Sequence, residues 1–161
     1  MEIADARSLE RATANAAVTR LYAYWVERRG AKTFPSRDDI DPLDFRFVLG
    51  RVSLVDVLDA PRRYRYRLVG TAVTDNLGYE MTGKFLDQLP ESQMRAYLEQ
   101  LYGKAVTQRA PVYERDQVNL DGRLWRSETI VLPLSSDGQA INLLMIYRET
   151  DRPRPAEGAK S

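Results

Sequence analysis

Residues 112–147, VYERDQVNLDGRLWRSETIVLPLSSDGQAINLLMIY, are the stretch of sequence that decides the fold. Asp121-Gly122 near its middle is among the residue pairs that most strongly favour a tight turn between two antiparallel strands. The stretch therefore predicts a hairpin in which Val112–Leu120 pairs with Leu124–Leu134.

A third strand is predicted after this hairpin. Ser135–Gly138 is rich in turn-forming residues and leads into Ala140–Tyr147. The run Ile141–Ile146 within that strand is apolar on both faces apart from Asn142, which is typical of a strand in the middle of a sheet covered on both sides.

The sequence before this region alternates between strand and helix patterns. Val52–Leu58 and Tyr64–Leu68 have the composition and alternation of β-strands and are separated by a turn, so we expect a second hairpin. Thr71–Gln108 has a helical pattern, with a short helix that ends at Gly78 and a longer helix after Pro90.

The first predicted element is one helix of about 20 residues that begins near Ser8 and ends at Gly30. Helical spacing places an apolar stripe on one side of it. The stripe consists of Ala14, Val18, Leu21, Tyr22 and Trp25. It needs a partner surface, which is either the back of the chain's own sheet or a second subunit in a homodimer.

The order helix, two strands, helical middle and three strands predicts one α+β domain. Its expected architecture is a five-stranded antiparallel sheet with helices on one face plus an N-terminal flanking helix. We divide the chain into the flanking helix at residues 1–30, the domain at residues 31–150, and a disordered tail at residues 151–161 that lacks apolar anchors.

Two residue types are absent from the chain, and their absence excludes several functions. There is no histidine and no cysteine, which excludes disulfides, thiolate metal sites, cysteine nucleophiles and histidine-based catalysis. The formal net charge of +1 gives no indication of nucleic acid binding. No apolar run is long enough to span a membrane and no signal peptide pattern begins the chain, so we expect a cytoplasmic protein. Without histidine or cysteine ligands, we also expect no metal site.

Several short motifs resemble those of one bacterial family. They are Leu21–Trp25, Pro35–Pro42, Arg65–Ala72, and Leu132–Ser135 followed by Asp137-Gly138. In their order and spacing they resemble a family of stand-alone PAS-like domains found mainly in alphaproteobacteria. The resemblance extends over roughly residues 20–148, which is nearly the whole domain.

The resemblance implies a PAS fold and a non-catalytic sensory or protein-interaction module. PAS domains hold a small molecule, or none, between the sheet and the helices, and they signal to a protein partner through the flanking helix and the sheet. The cofactor is unknown, although histidine-ligated haem and cysteine-linked chromophores are excluded. The residues that we expect to line the cavity are Tyr66, Phe85, Tyr97, Leu101, Trp125 and Met145.

Two other functions remain open on the sequence. The first is a small-molecule carrier or an enzyme that uses the same cavity, which two ionisable groups of strongly shifted pKa in the cavity would support. The second is a scaffold, which requires a cavity filled by the chain's own side chains. No catalytic motif is found in the sequence, so no catalytic residue is predicted.

Overall fold

The computed structural model describes residues 1–151 and 154–155, and its order of helices and strands agrees with the sequence pattern. The α-helices are α1 (Ala6–Ala12), α2 (Ala16–Arg29), α3 (Thr71–Leu77) and α4 (Ser92–Gln108). The strands are β1 (Val52–Val57), β2 (Tyr64–Val69), β3 (Val112–Leu120), β4 (Arg123–Leu134), β5 (Leu143–Thr150) and β6 (Arg154–Pro155). Short 3-10 helices occupy Arg37–Asp39, Pro42–Arg51 and Leu86–Gln88.

One antiparallel sheet contains all the strands, in the order β2-β1-β5-β4-β3 with β6 beside β4. Both predicted hairpins are confirmed, since β1 pairs with β2 and β3 pairs with β4. Asp121 and Gly122 have φ angles of 53° and 76°, the positive values that a two-residue hairpin turn of this kind requires. The central place predicted for the last apolar strand is also confirmed, because β5 lies between β1 and β4.

Alternating side chains of β4 and β5 point to opposite faces of the sheet. We call the face that carries Trp125 and Ile146 the cavity face, because α3 and α4 cover it. The opposite face, which carries Leu132 and Met145, is the back face. The side chain of Trp25 in α2 is almost fully buried, and its Nε1 donates a 2.8 Å hydrogen bond to the carbonyl oxygen of Pro133 in β4.

The part of the apolar stripe that lies in α2 is therefore covered within the chain by the back of the sheet. The prediction was wrong for Ala14, which is exposed and lies in the break between α1 and α2. Val18, Leu21 and Trp25 are each at most 2% exposed. The alternative left open by the sequence, burial of this stripe against a second subunit, is not needed to cover it. A homodimer through the outer side of these helices stays a prediction.

The N-terminal segment differs from the single predicted helix, because it forms two helices that are separated at residues 13–15. The side chain of Asp5 caps α1 and that of Asn15 caps α2, whereas Ser8 lies inside α1. The helix is interrupted at this point because Thr13 and Asn15 hydrogen bond to side chains of the back face of the sheet. Their short polar side chains compete with the helical backbone.

Most of the predicted tail at residues 151–161 lies outside the described residues. Within the described residues, Arg154–Pro155 forms a two-residue strand against Arg123 and Leu124. The pairing is possible because β5 ends opposite Ser127, and this leaves the edge of β4 open at residues 123–126.

Candidate functional site: a cavity between the sheet and α4

A small cavity separates the sheet from α3 and α4, at the position where the sequence predicted a ligand. Its volume is about 50 Å³. The apolar part of its wall comes mainly from α3, α4 and the segment between them. The apolar wall includes Val73, Leu77, Met81, Met94, Leu98 and Ile146. The polar part is formed by Ser53, Tyr66, Asn76, Tyr102, Arg148 and Thr150.

Tyr66 on β2 and Tyr102 on α4 form a buried pair in this wall. Their hydroxyl oxygens are 2.8 Å apart and share a hydrogen bond. Burial raises the pKa of Tyr66, and it also raises the pKa of Tyr102. Both side chains are therefore neutral phenols at neutral pH, and they act as hydrogen-bond donors and acceptors rather than as bases.

Arg148 is the charged residue of the cavity wall. It lies on β5, and its guanidinium donates to Ser127 Oγ at 3.0 Å and to Thr150 Oγ1 at 3.3 Å. The same group lies 5.4 Å from the ring centre of Tyr97 and 5.9 Å from that of Trp125. The two hydroxyls and the two aromatic faces hold the guanidinium in a fixed position.

No carboxylate neutralises this arginine among the described residues. The ion pairs found there involve other cations. Asp116, which faces the same side of the sheet, accepts a hydrogen bond from the hydroxyl of Tyr97 instead. The cavity wall thus presents a positive charge that is paired only with neutral hydroxyls and aromatic rings.

The structure brings together only part of the predicted ligand-binding set. Tyr66 and Trp125 line the cavity, and ligand binding by them stays a prediction. Tyr97 lies next to it, in contact with Arg148. Leu101 is buried in the core but is outside the cavity wall.

The remaining two predicted residues lie away from the cavity. The alternation of β5 places Met145 on the back face, where it is paired with Leu54 and Leu132. Phe85 forms a bridge with Arg65 at the outer edge of β2, and the guanidinium of Arg62 lies over its ring at 3.7 Å. The structure therefore places both residues outside the wall of this cavity. For Met145 the reason is that the sequence alone does not show which face of the sheet α4 covers.

Sequence reasoning did not identify the polar centre of the site. Neither Tyr102 nor Arg148 was chosen. Tyr102 lies within the predicted long helix, whereas Arg148 follows the predicted strand, which ended at Tyr147 and in the structure continues to Thr150. For Arg148 a signal was present, since strict alternation from the apolar Leu144 and Ile146 places its side chain on their face. A charged residue that continues an apolar face is a useful indication of a polar site.

A second polar cluster lies on the back face at the break between α1 and α2. Glu128 accepts hydrogen bonds from Thr13, from Tyr113 at 2.6 Å and from Asn15 at 3.3 Å. Glu149, directly opposite Glu128 in the sheet, accepts from Asn15 at 2.6 Å and from Tyr147 at 2.9 Å. These contacts attach the start of α2 to β4 and β5.

The fold defines an α+β domain with a cavity between an antiparallel sheet and the helices that cover one of its faces. Residues 13–147 match the model of the PAS domain family, and the chain therefore belongs to that family. PAS domains are sensory and interaction modules.

Similar proteins are found among solved structures. The PAS domain of Bordetella pertussis BvgS is 18% identical to this chain, with a TM-score of 0.49. The match covers 68% of this chain and 85% of the BvgS chain. No curated protein matches this chain significantly. None of the helices in the described part of the chain is long and apolar enough to cross a membrane.

Proposed function

We propose that this chain is a non-catalytic sensory PAS module that binds a small molecule in the cavity and signals to a separate protein in the cytoplasm. The observation that carries the proposal is the position of Arg148. It lies in the cavity wall, while its neighbours in the sequence, Tyr147 and Glu149, lie on the back face and contact Asn15. One strand therefore connects the cavity to the N-terminal helices.

This connection provides a physical route for the signal. A ligand that draws the guanidinium of Arg148 toward the cavity changes the twist of β5 at that residue. Tyr147 and Glu149 then move relative to Asn15, whose side chain holds the start of α2. A break between two short helices is a point where a small displacement changes the angle between α1 and α2, and the proposal places the contact with the partner protein at these helices.

The route can be tested without knowing the ligand, by filling the cavity with a side chain. Ser53 lies in the cavity wall on β1, and Ser53→Val replaces its hydroxyl by apolar volume in the cavity. We expect hydrogen–deuterium exchange of residues 6–20 to change in this variant. Val57→Ile, which adds one carbon to the same strand outside the cavity wall, is the control and should leave that exchange unchanged. Unchanged exchange at residues 6–20 in Ser53→Val would overturn the proposed route.

A scaffold that acts through protein contacts alone is the second candidate function. The cavity volume favours it, because sites for drug-sized ligands have roughly 300–1,000 Å³. An apolar groove of about 340 Å³ on the surface offers a place for a partner. The groove includes Pro42, Phe45, Leu54 and Leu68, and the side chain of Leu68 is 40% exposed.

Native mass spectrometry of freshly purified protein distinguishes the two candidates. A small molecule that is bound to the wild type and absent from Ser53→Val supports the sensor. A protein without a ligand, together with unchanged exchange in Ser53→Val, supports the scaffold. The same spectra report whether the chain is a homodimer.

A further inference from the structure

The hydroxyl pair in the cavity leaves one hydrogen-bond donor without an acceptor. Each tyrosine hydroxyl carries one proton, and the bond between Tyr66 and Tyr102 uses only one of the two. No other side-chain hydrogen bond of either hydroxyl is found in residues 1–151 and 154–155. A buried O–H without an acceptor is unfavourable, so this pair favours a cavity occupant that accepts hydrogen bonds.

Arg148 adds further free donors to the same cavity. A guanidinium has five N–H groups in one plane. Within the described part of the chain, the guanidinium of Arg148 donates two hydrogen bonds, one to Ser127 and one to Thr150. The remaining N–H groups carry positive charge and form a planar fork that matches the geometry of a carboxylate.

The cavity thus combines a buried tyrosine O–H that has no protein acceptor with the half-buried guanidinium of Arg148, which forms no ion pair in the described residues, and its wall contains no carboxylate among those residues. This combination selects for an occupant that is both an acceptor and an anion. We propose that the cavity binds a small monocarboxylate, held by Arg148 and by the hydroxyl pair of Tyr66 and Tyr102. The inference rests on the proposed role of this cavity as the ligand site.

The size of the cavity limits the ligand to very few atoms. One water-sized group needs roughly 10–15 Å³, so a volume of about 50 Å³ accommodates roughly four such groups. Acetate has four non-hydrogen atoms and is the carboxylate of this size. Small ligands of this kind bind weakly, and we expect a dissociation constant on the order of 0.1–10 mM.

The test is a titration of the isotopically labelled chain with acetate and with acetamide, followed by two-dimensional NMR. Acetamide has nearly the shape of acetate but no charge. Comparing the two ligands therefore isolates the contribution of the negative charge, which Arg148 is proposed to bind. Sodium chloride is added to the acetamide samples to match the ionic strength. We expect acetate to shift the backbone amide signals of β5 in a saturable manner, and to bind about tenfold or more tightly than acetamide.

Two matched arginine variants complete the test. Arg148→Gln should weaken acetate binding by about tenfold or more, because the charged donor is lost. Arg126→Gln removes an exposed arginine from the back face of β4 and should leave acetate binding unchanged. Tyr102→Phe removes one hydroxyl of the buried pair, and we expect it to weaken binding by a smaller factor than Arg148→Gln.

Other outcomes overturn the proposal, and they are distinguishable from failure of the proposed function. Equal binding of acetamide and acetate would mean that the cavity takes a neutral ligand, which leaves a sensory role intact. Equal losses in Arg148→Gln and Arg126→Gln would mean that acetate binds the surface through general charge. If acetate does not bind at all, the proposal of a carboxylate ligand is refuted. The proposed function is tested separately, by the exchange experiment with Ser53→Val.

Discussion

The two faces of the sheet differ in whether their polar side chains have hydrogen-bond partners within the protein. On the back face, acceptors are matched by donors: Glu128 and Glu149 receive hydrogen bonds from threonine, asparagine and tyrosine side chains. In the cavity wall on the other face, Arg148 and the pair Tyr66–Tyr102 have N–H or O–H groups without a partner in the described residues.

This difference separates a structural contact from a binding site. A network whose members satisfy each other stabilises the protein and has no need of a ligand. Where donors around a small cavity have no acceptor in the protein, as at Arg148 and the pair Tyr66–Tyr102, a bound molecule can supply the acceptor. Mutations should therefore reduce the stability of the protein when they affect the back face, and ligand binding when they affect the cavity face.

The largest expected effect comes from the packing of the back face. Trp25 is 2% exposed and is hydrogen bonded to Pro133, so Trp25→Ala leaves a large cavity and one carbonyl without its donor. We expect a loss of about 3–5 kcal/mol in the free energy of unfolding, measured with urea. Trp25→Phe, which keeps an aromatic ring, should lose less. A loss below about 1 kcal/mol in Trp25→Ala would show that the N-terminal helices are not firmly packed on the sheet.

The polar cluster of the back face gives the next largest effect. Glu128→Leu leaves Thr13, Tyr113 and Asn15 without their shared acceptor, and we expect it to reduce the free energy of unfolding by about 1–3 kcal/mol. Glu128→Gln retains an acceptor oxygen and is the control, with a smaller loss. If Glu128→Leu unfolds at the same urea concentration as the wild type, the cluster does not hold α2 to the sheet.

The same glutamate should make stability depend on pH. Burial tends to raise the pKa of Glu128, but hydrogen bonds from Thr13, Tyr113 and Asn15 outweigh it and lower that pKa below 4.5. A lowered folded pKa stabilises the protein above pH 4.5, and this stabilisation is lost as the pH falls through the folded value. The urea midpoint of Glu128→Gln should therefore fall less on acidification than that of the wild type. Parallel curves for the two proteins would contradict this assignment.

The smallest effect on stability is expected at the charged residue of the cavity. Arg148→Gln breaks no ion pair in the described residues, and Ser127 and Thr150, whose hydroxyl oxygens are 3.2 Å apart, still bond to each other. We expect the free energy of unfolding to change by about 1 kcal/mol or less, measured with urea. A loss like that of Trp25→Ala would show that Arg148 is part of the structural core and would break the contrast between the faces.

The fold was predictable because its elements have local signals. Asp121-Gly122 determines the turn of one hairpin, and the apolar run around Leu144 determines the central strand. The N-terminal segment was predicted less well, since the break at Thr13–Asn15 depends on Glu128, more than a hundred residues further along the chain. Helical periodicity contains no information about such a partner.

The site was predicted in part for a similar reason. Tyr66 and Trp125, which the family resemblance led us to expect in the cavity wall, lie on strands with regular alternation and do line the cavity. Met145 was expected in the cavity wall and lies on the back face. Alternation gives no preference there, because Leu143–Tyr147 is apolar on both sides. The pairing of Tyr66 with Tyr102 joins a strand to a helix, and only the three-dimensional packing reveals it.

The central claim is that a small anion binds on the cavity face and leaves the back face in place. The chain contains two tryptophans, and they report on the two faces separately: Trp125 lines the cavity and Trp25 packs on the back. In protein labelled with 5-fluorotryptophan, each gives one fluorine NMR signal. We predict that acetate shifts the signal of Trp125 in a saturable manner, with little change in that of Trp25. An unmoved Trp125 signal, or equal shifts of both signals, would contradict the account.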